Sequence, residues 1–431
     1  MPGILDLSNE LLLEICSHLR PHPLLNITGR PFCCWTLTLK EHDSASFAKL
    51  QTVNSLVRSC KHMYAVLISE LYEYVPLLTN HHGLRRFTRT VTEHAELGYY
   101  VRYASFSLPW DATIADFYQL FWLPSLAVLD LGGYQAWHAA EWEEDESPMG
   151  SSPIRTLRLL NCGAHEEALT ELLKFPRALE ALWYDANQGE WDGQYVGEPA
   201  VGFTCEAVRR SMATHAESLG NLVLTRPPLV HEGLGYGDAI DLEDFERLRS
   251  LSVYQVFLVG LISNTRVSRC LPPNLEELEV FYDDSGYVDF LDEGEIAQPH
   301  WLLTLLEELK GPDSKLKNLS RIRIVALEWT PGQDEVDAED GQDGQDSSNA
   351  SSSDSGRDSR GPGDVELRGH PNSPWRPPKL LLDLLVQAGI CFSIFLHPER
   401  RARLTPDDVK GFDDAWEDEW DSEMNYSPLF V

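Results

Sequence analysis

Some residues of this chain are of types that could catalyse a reaction or bind a metal ion. Their spacing along the sequence, however, predicts neither a catalytic site nor a metal site. The glycines of Gly233–Gly237 lack a third glycine at the spacing of a dinucleotide-binding loop, so we predict an ordinary loop there. His81 and His82 are adjacent, and adjacent side chains point apart on any regular element, which favours an exposed linker over a metal site. The sequence contains no nucleophile elbow, P-loop or zinc-protease motif. We therefore predict a non-catalytic protein without a metal or cofactor.

Eight cysteines are spread along the chain, and only Cys33 and Cys34 are neighbours. None forms a C-x-x-C pair or stands at ligand spacing from a histidine, so reduced and buried thiols are the expected state. The acidic run Asp343–Asp346 does not fit a calcium-binding loop, because the glycine and glutamate of such a loop are missing at their positions. The thiols favour a cytoplasmic or nuclear location.

The net charge of −33, from 35 basic and 68 acidic residues, argues against nucleic acid or an anionic membrane as the partner. Part of this charge is concentrated in residues 332–373 and 407–423. The remainder belongs to the body of the chain and favours a basic protein as partner or substrate. The longest apolar stretch, Leu380–Leu396, is interrupted by polar residues, which predicts a helix and a strand rather than a membrane span.

Two amphipathic helices are predicted near the start of the chain. In the first, Ser8 is the expected N-cap, Glu10 lies in the first turn, and apolar residues from Leu11 to Leu19 line one face. The second is predicted as one continuous helix that ends before Pro76, because its apolar residues follow one another at steps of four and three. These residues are Val53, Val57, Cys60, Tyr64, Leu67 and Leu71. Together the two helices have more apolar surface than a small module can bury, which predicts a partner.

The first 75 residues resemble an F-box, most closely the version found in filamentous fungi. The resemblance rests on Leu7–Ile15, on Ser59–Lys61 and on Leu71 with Tyr72. The family usually has Pro where this chain has Ser8. The resemblance implies a three-helix module that docks on a Skp1-like adaptor of a cullin ubiquitin ligase. The implied adaptor-facing residues are Leu7, Ser8, Glu10, Leu12, Ile15, Leu19, Val57, Cys60 and Tyr64. The alternative is a helical cap that packs on the domain behind it.

One short phrase, apolar-x-x-apolar-x-apolar, recurs eight times between Val101 and Ile324, mostly at spacings near those of leucine-rich repeats. In a short strand the second and third apolar residues point inward together, and neighbouring repeats must stack to bury them. The phrases begin at Val101, Leu126, Ile154, Leu179, Leu219, Leu248, Leu275 and Leu319. Helical patterns such as Glu166–Phe175 and Thr204–Ser218 lie between them. An ordinary α/β domain is the alternative, because the period is irregular.

The predicted fold class is α/β, with a small N-terminal helical F-box module followed by an irregular leucine-rich-repeat solenoid that has a parallel strand face. We predict the module at 1–75, the solenoid at 76–400 with a disordered acidic insert at 332–373, and an acidic aromatic tail at 401–431. Within the solenoid region, Lys379–Leu396 predicts a helix and a closing strand.

The predicted function is that of a substrate-recognition subunit of a Skp1-cullin-F-box ubiquitin ligase, with a leucine-rich-repeat scaffold as the alternative. A protein target of unknown identity would bind to the strand face or the rim loops. The candidate target-binding residues are Trp183, Tyr184, Trp191, Tyr254, Tyr282, Asp283 and Asp284.

Overall fold

The computed structural model describes thirteen stretches of the chain. They are residues 7–19, 49–78, 81–108, 117–136, 149–164, 166–186, 204–225, 239–259, 266–284, 301–311, 314–328, 366–368 and 379–395. Residues 20–48, which connect the first two helices, lie outside them, as do most of the predicted acidic insert and the whole of the predicted tail. No helix in these stretches is both long and apolar enough to span a bilayer.

Within the described residues, three helices precede the first strand. They are α1 at Asn9–Ser17, α2 at residues 49–57 and α3 at Lys61–Glu73. The prediction of one continuous helix from Val53 to Leu71 is wrong, because the chain breaks between α2 and α3. Strand β1 at Tyr74–Leu78 follows α3 without a linker, so the helical module ends slightly before the predicted boundary.

The rest of the described chain is built on one twelve-stranded parallel sheet. The strands are β1, β2 at Tyr103–Ser107, β3 at Val128–Gly132, β4 at Gln135–Ala136, β5 at Thr156–Ala164, β6 at Ala181–Ala186, β7 at Asn221–Thr225, β8 at Ser250–Tyr254, β9 at Glu277–Asp284, β10 at Arg321–Glu328, β11 at Glu366–Arg368 and β12 at Cys391–Phe395. Their order is β1-β2-β3-β5-β6-β7-β8-β9-β10-β12-β11, with β4 paired to β5. Successive strands are therefore neighbours along almost the whole sheet.

The repeated phrase explains this arrangement. Its second and third positions form two rows across the sheet, in which each apolar residue is the register partner of the next. One row is Ala104, Leu129, Leu157, Leu182, Leu222, Leu251, Leu278, Ile322 and Phe392, and the other is Phe106, Leu131, Leu159, Tyr184, Leu224, Val253, Val280 and Ile324. All of these residues, and the first residue of every phrase, are buried. The predictions of a shared core and of parallel strands are confirmed.

Helices connect the strands and cover the core face. They are α4 at His81–Glu93, α5 at Ala95–Gly98, α6 at Glu166–Lys174, α7 at Cys205–Met212, α8 at Gln255–Val259, α9 at Trp301–Leu309 and α10 at Lys379–Ala388. The predicted helices at Glu166–Phe175 and Thr204–Ser218 are confirmed as α6 and as α7, which continues into a 3-10 turn at Ala213–His215. His81 and His82 begin α4, so the prediction of a linker there is wrong.

The end of the sheet differs from the prediction in one respect. Helix α10 and strand β12 form as predicted, with Gly389 at a φ of 68° in the left-handed conformation that glycine tolerates best. Strand β11, however, comes from the segment predicted to be disordered and pairs with the outer edge of β12. Glu366–Arg368 can form this strand within an acidic segment, because backbone hydrogen bonding at a sheet edge requires no apolar side chains.

Candidate functional site

The first helix of the module begins as its sequence predicts. The Ser8 hydroxyl accepts a hydrogen bond from the Leu11 amide at 3.4 Å, which satisfies one of the free N–H groups of the first turn. The pKa of Glu10 lies below its ordinary value, first because its own backbone amide donates to the carboxylate and then because Ser8 does. Both residues are exposed and are available to a partner.

The three helices share a small core of their own. Its buried residues are Leu12 and Cys16 of α1, Val53 and Val57 of α2, and Met63 and Leu67 of α3. Burial, and then the nearby Glu70 carboxylate, raise the pKa of the Cys16 thiol. The prediction that Leu12 and Val57 face an adaptor is therefore wrong, since their side chains already fill this core.

Cys60 explains why α2 and α3 are separate helices. Its backbone is extended, and its sulfur accepts a hydrogen bond from the Met63 amide at 3.5 Å, so that it caps α3. This hydrogen bond is also the main reason why the pKa of the Cys60 thiol is lowered. The side chain is half-buried beside the module core, as are Leu7 and Leu19.

Several large apolar side chains of α1 and α3 remain outside the core. Leu11 is 53% exposed, Ile15 44% and Tyr64 51%, and Leu13 is also exposed. Leu11 and Ile15 are four residues apart and lie one above the other on α1, which packs against α3. We call Leu11, Ile15 and Tyr64 the module surface. The prediction included Ile15 and Tyr64 but omitted Leu11, which the four-residue spacing from Ile15 identifies.

The opposite side of the module is fixed to the sheet. Leu50 of α2 is buried against Tyr74, Tyr103 and Val128, which are register partners on β1, β2 and β3. These three residues alternate with the core rows, so they lie on the sheet face that points away from the core. Tyr74 and Tyr103 stack with their ring centroids 4.4 Å apart. The module thus closes one end of this outer face.

A buried polar cluster lies on the same part of the outer face. Tyr103 donates a hydrogen bond to Asp130 Oδ2, and Arg158 Nη1 lies 3.3 Å from the same oxygen. All three side chains are buried. Burial raises the pKa of Asp130, and the positive charge of Arg158 only partly opposes this. Burial also raises the pKa of Tyr103, as does the nearby Asp130. Asp130 and Arg158 therefore form a buried ion pair, to which Tyr103 adds a hydrogen bond.

The outer face is more open at β7 to β10. Ser252 and Arg323 hydrogen-bond the two oxygens of Glu279, each at 3.0 Å, so that this carboxylate is fully paired. Burial raises the pKa of Glu279, with Arg323 acting in the opposite direction. The outward side chains around this group are partly accessible, and they are Asn221, Val223, Ser250, Ser252, Glu277 and Arg321.

The predicted target-binding residues occupy different positions from those expected. Tyr184 and Tyr254 are buried in the main core, and Trp183 is buried on the outer face, where its register partners are Arg158 and Val223. A buried ring offers no surface to a partner, so these three residues are removed from the predicted target-binding set. Trp191 lies outside the described residues. Tyr282, Asp283 and Asp284 belong to β9, where Tyr282 and Asp284 are register partners of Ala326 and Glu328 on β10.

No protein-family model matches this sequence, and a search of curated proteins finds no significant match. Within the described stretches there is also no group of three or more histidine, cysteine or acidic side chains that could hold a metal ion. The described geometry offers two contact surfaces. One is apolar and lies on the module, and the other is polar and lies on the open part of the outer face.

Proposed function

We propose that this chain is the substrate-recognition subunit of a Skp1-cullin-F-box ubiquitin ligase. In this proposal the helices up to Glu73 form an F-box module that binds a Skp1-like adaptor. The sheet and its helices form an irregular leucine-rich-repeat solenoid that binds a protein target. The chain has no catalytic role of its own, because ubiquitin transfer belongs to other subunits.

The module surface is the observation on which the proposal rests. Leu11, Ile15 and Tyr64 are about half exposed although Leu12, Val57 and Leu67 close beside them are buried. Apolar residues grouped on a helical surface are typical of helices that insert into a groove of another protein. The N-cap at Ser8 and the cap at Cys60 fix the ends of the two helices that present these residues.

The assignment of the sheet to leucine-rich repeats has separate support. Each phrase forms one strand whose inward residues stack on those of its neighbours, as quasi-one-dimensional repeats do. Asn161 and Cys162 stand where such repeats place a residue that bonds the turning backbone. The thiol of Cys162 donates to the carbonyl oxygen of Leu131 on the neighbouring strand at 3.5 Å, and this contact fits that role.

The target would bind the open part of the outer face, at β7 to β10. Its exposed side chains are polar and carry both signs of charge, as in Glu277 and Arg321, which form a surface ion pair. The strongly acidic chain favours a basic target through its long-range field.

A scaffold without a ligase role is the second candidate, and the contact of Leu50 with the outer face favours it. A helical cap would make that contact in order to cover the end of the sheet. Truncation before Tyr74 does not separate the two candidates, because it uncovers Tyr103 and Val128 in either case. Binding of the adaptor does separate them.

The test is a pull-down of purified full-length chain with a Skp1-like adaptor. The proposal expects the wild-type chain to bind and the Leu11→Asp and Ile15→Asp variants to lose binding, since a charge cannot enter an apolar groove without a partner. Val386→Asp is the matched control, because Val386 is a largely exposed aliphatic residue on α10. If the wild-type chain fails to bind, or if the Ile15→Asp chain binds as well as the control, the ligase proposal is wrong and the scaffold function remains as the candidate.

A further inference from the structure

Helix α4 and the residues after it form a basic island in an acidic chain. Residues 81–102 contain four arginines and two glutamates, a net charge of +2, whereas the whole chain carries −33. Arg86 and Arg89 are exposed on α4. Arg89 has only a distant, solvent-exposed ion pair with Glu93, at 4.0 Å, which contributes little.

Exposed aromatic rings lie next to this island. Tyr99 is 64% exposed, Tyr100 37% and Trp122 53%. The elements that hold them are in contact, since α4 packs against α5 and a β-carbon on Gly98 would lie 3.1 Å from Leu123 Cδ2. Thr92 of α4 and Gln119 are also joined, with Oγ1 and Oε1 3.3 Å apart. We call Arg86, Arg89, Tyr99, Tyr100 and Trp122 the arginine-aromatic patch.

Arginine, tyrosine and tryptophan are the residues most enriched where proteins bind one another. These five side chains are exposed, with Tyr100 about one third accessible to water, and this is costly for the rings and unusual for a group of this size. A ligand for the patch should bring negative charge for the arginines and flat apolar surface for the rings. It should also bind a chain whose overall field repels acidic molecules.

We propose that the arginine-aromatic patch binds residues 407–423 of the same chain. This segment contains nine acidic residues and one lysine, so its net charge of −8 complements the arginines. Phe412, Trp416 and Trp420 recur at steps of four, which places the three rings on one side of the segment when it is helical. Its rings can stack on the tyrosines and receive the guanidinium groups on their faces.

The connection is long enough for this contact. Strands β2 and β12 are eight strand spacings apart in the sheet order, or about 40 Å. Asp407 follows the end of β12 by 12 residues, which span up to about 40 Å when extended, and the nine residues from there to Trp416 add about 14 Å when helical.

Tethering also selects this segment over a separate acidic protein. A free acidic partner is repelled by the charge of −33, whereas a linked segment is held near the patch at an effective concentration of about 1 mM. The contact does not depend on the proposed ligase function, since it uses neither the module surface nor the open part of the outer face.

Photo-crosslinking in the full-length chain tests this contact. Tyr99 is replaced by p-benzoylphenylalanine, which keeps an aromatic ring at that position, and crosslinked peptides are identified by mass spectrometry. We expect crosslinks within one chain to residues 407–423, with a yield that does not change on dilution and falls at high salt. The same photoprobe at Leu13, an exposed residue of α1 on the helical module, is the positional control and should not give these crosslinks.

Charge reversal in the same photoprobe chain sharpens the test. Arg86→Glu with Arg89→Glu should lower the crosslink yield roughly fivefold, because two attractions become repulsions. Arg177→Glu with Arg247→Glu makes the same change of charge at exposed arginines elsewhere and should leave the yield unchanged. Crosslinks to other regions, crosslinks only between chains, no crosslinks, or equal yields from both double variants would each overturn the proposal.

Discussion

In the sheet region the apolar rows are fully enclosed, whereas the helical module leaves Leu11, Ile15 and Tyr64 about half exposed. The difference follows from how each region grows. A repeat gains a neighbour on each side, so the inward residues of one strand, such as Leu157, are covered by the next. The module has only three helices, and its second side is used by Leu50 against the sheet. Its remaining side therefore stays exposed.

The largest expected effect is a difference in stability between two leucine-to-alanine variants, one from each region. Leu131→Ala removes a fully buried side chain between Phe106 and Leu159 and should lower the free energy of unfolding by about 4 kcal/mol. Leu11→Ala should cost less than about 0.5 kcal/mol, because water already reaches that side chain. Urea unfolding of both variants measures the difference. Equal losses would mean that the two regions bury their residues alike.

The sequence predicted the sheet region better than the module for a physical reason. The phrase repeats eight times, and its inward positions are confirmed in each of the eight strands that it forms. Tyr184 is one of these positions. The pattern places its ring inward, although the same residue was also assigned to the target surface. In the module the apolar residues keep their steps of four and three from Val53 to Leu71, across the break between α2 and α3. The periodicity alone therefore did not reveal that the chain forms two helices there. The cap formed by the Cys60 sulfur does reveal it. Burial of Trp183 depends on packing between distant segments, which a local pattern does not contain.

The closed end of the outer face gives the second prediction. Asp130→Asn removes a buried negative charge that pairs with the buried Arg158 and should lower the free energy of unfolding by about 3 kcal/mol. Glu180→Gln is the control, because it breaks an exposed ion pair with Arg155 and should cost less than about 0.5 kcal/mol. Thermal or urea unfolding checks both. If the Asp130→Asn chain is as stable as the control, the buried pair does not hold this end of the sheet together.

The junction between the two regions gives the third prediction. Leu50→Ala should cost about 2 kcal/mol and should speed amide exchange in β1 to β3, because Tyr103 and Val128 lose their cover. Leu56→Ala lies on the same helix but packs against the module core, so its effect should stay within the module. Exchange in β1 to β3 that is unchanged by Leu50→Ala would show that the module is not docked on the sheet.

A smaller effect is expected from pH at His215, inside the sheet region. Its Nε2 donates to the Leu173 carbonyl at 2.6 Å and its Nδ1 accepts from the Leu179 amide at 3.4 Å, so the buried ring is neutral. Burial lowers its pKa, with the Leu173 hydrogen bond opposing. The unfolded chain then binds the proton more readily, and the stabilisation is complete above about pH 6.5 and is lost as the pH falls below it.

The comparison of the wild-type chain with His215→Gln isolates this contribution, since glutamine offers a donor and an acceptor but does not titrate. The stability difference between the two chains should shrink as the pH is lowered from 7.5 to about 5. A difference that is constant over this range would show that the ring does not titrate on unfolding.

The exposed module surface is tested most directly by the affinity of the full-length chain for a Skp1-like adaptor, measured by calorimetry. We expect the Ile15→Asp chain to bind at least roughly tenfold more weakly than the wild-type and Val386→Asp chains, while its free energy of unfolding stays within about 0.5 kcal/mol of theirs. Equal affinities for the three chains, or no binding by the wild-type chain, would contradict the role assigned to Leu11, Ile15 and Tyr64.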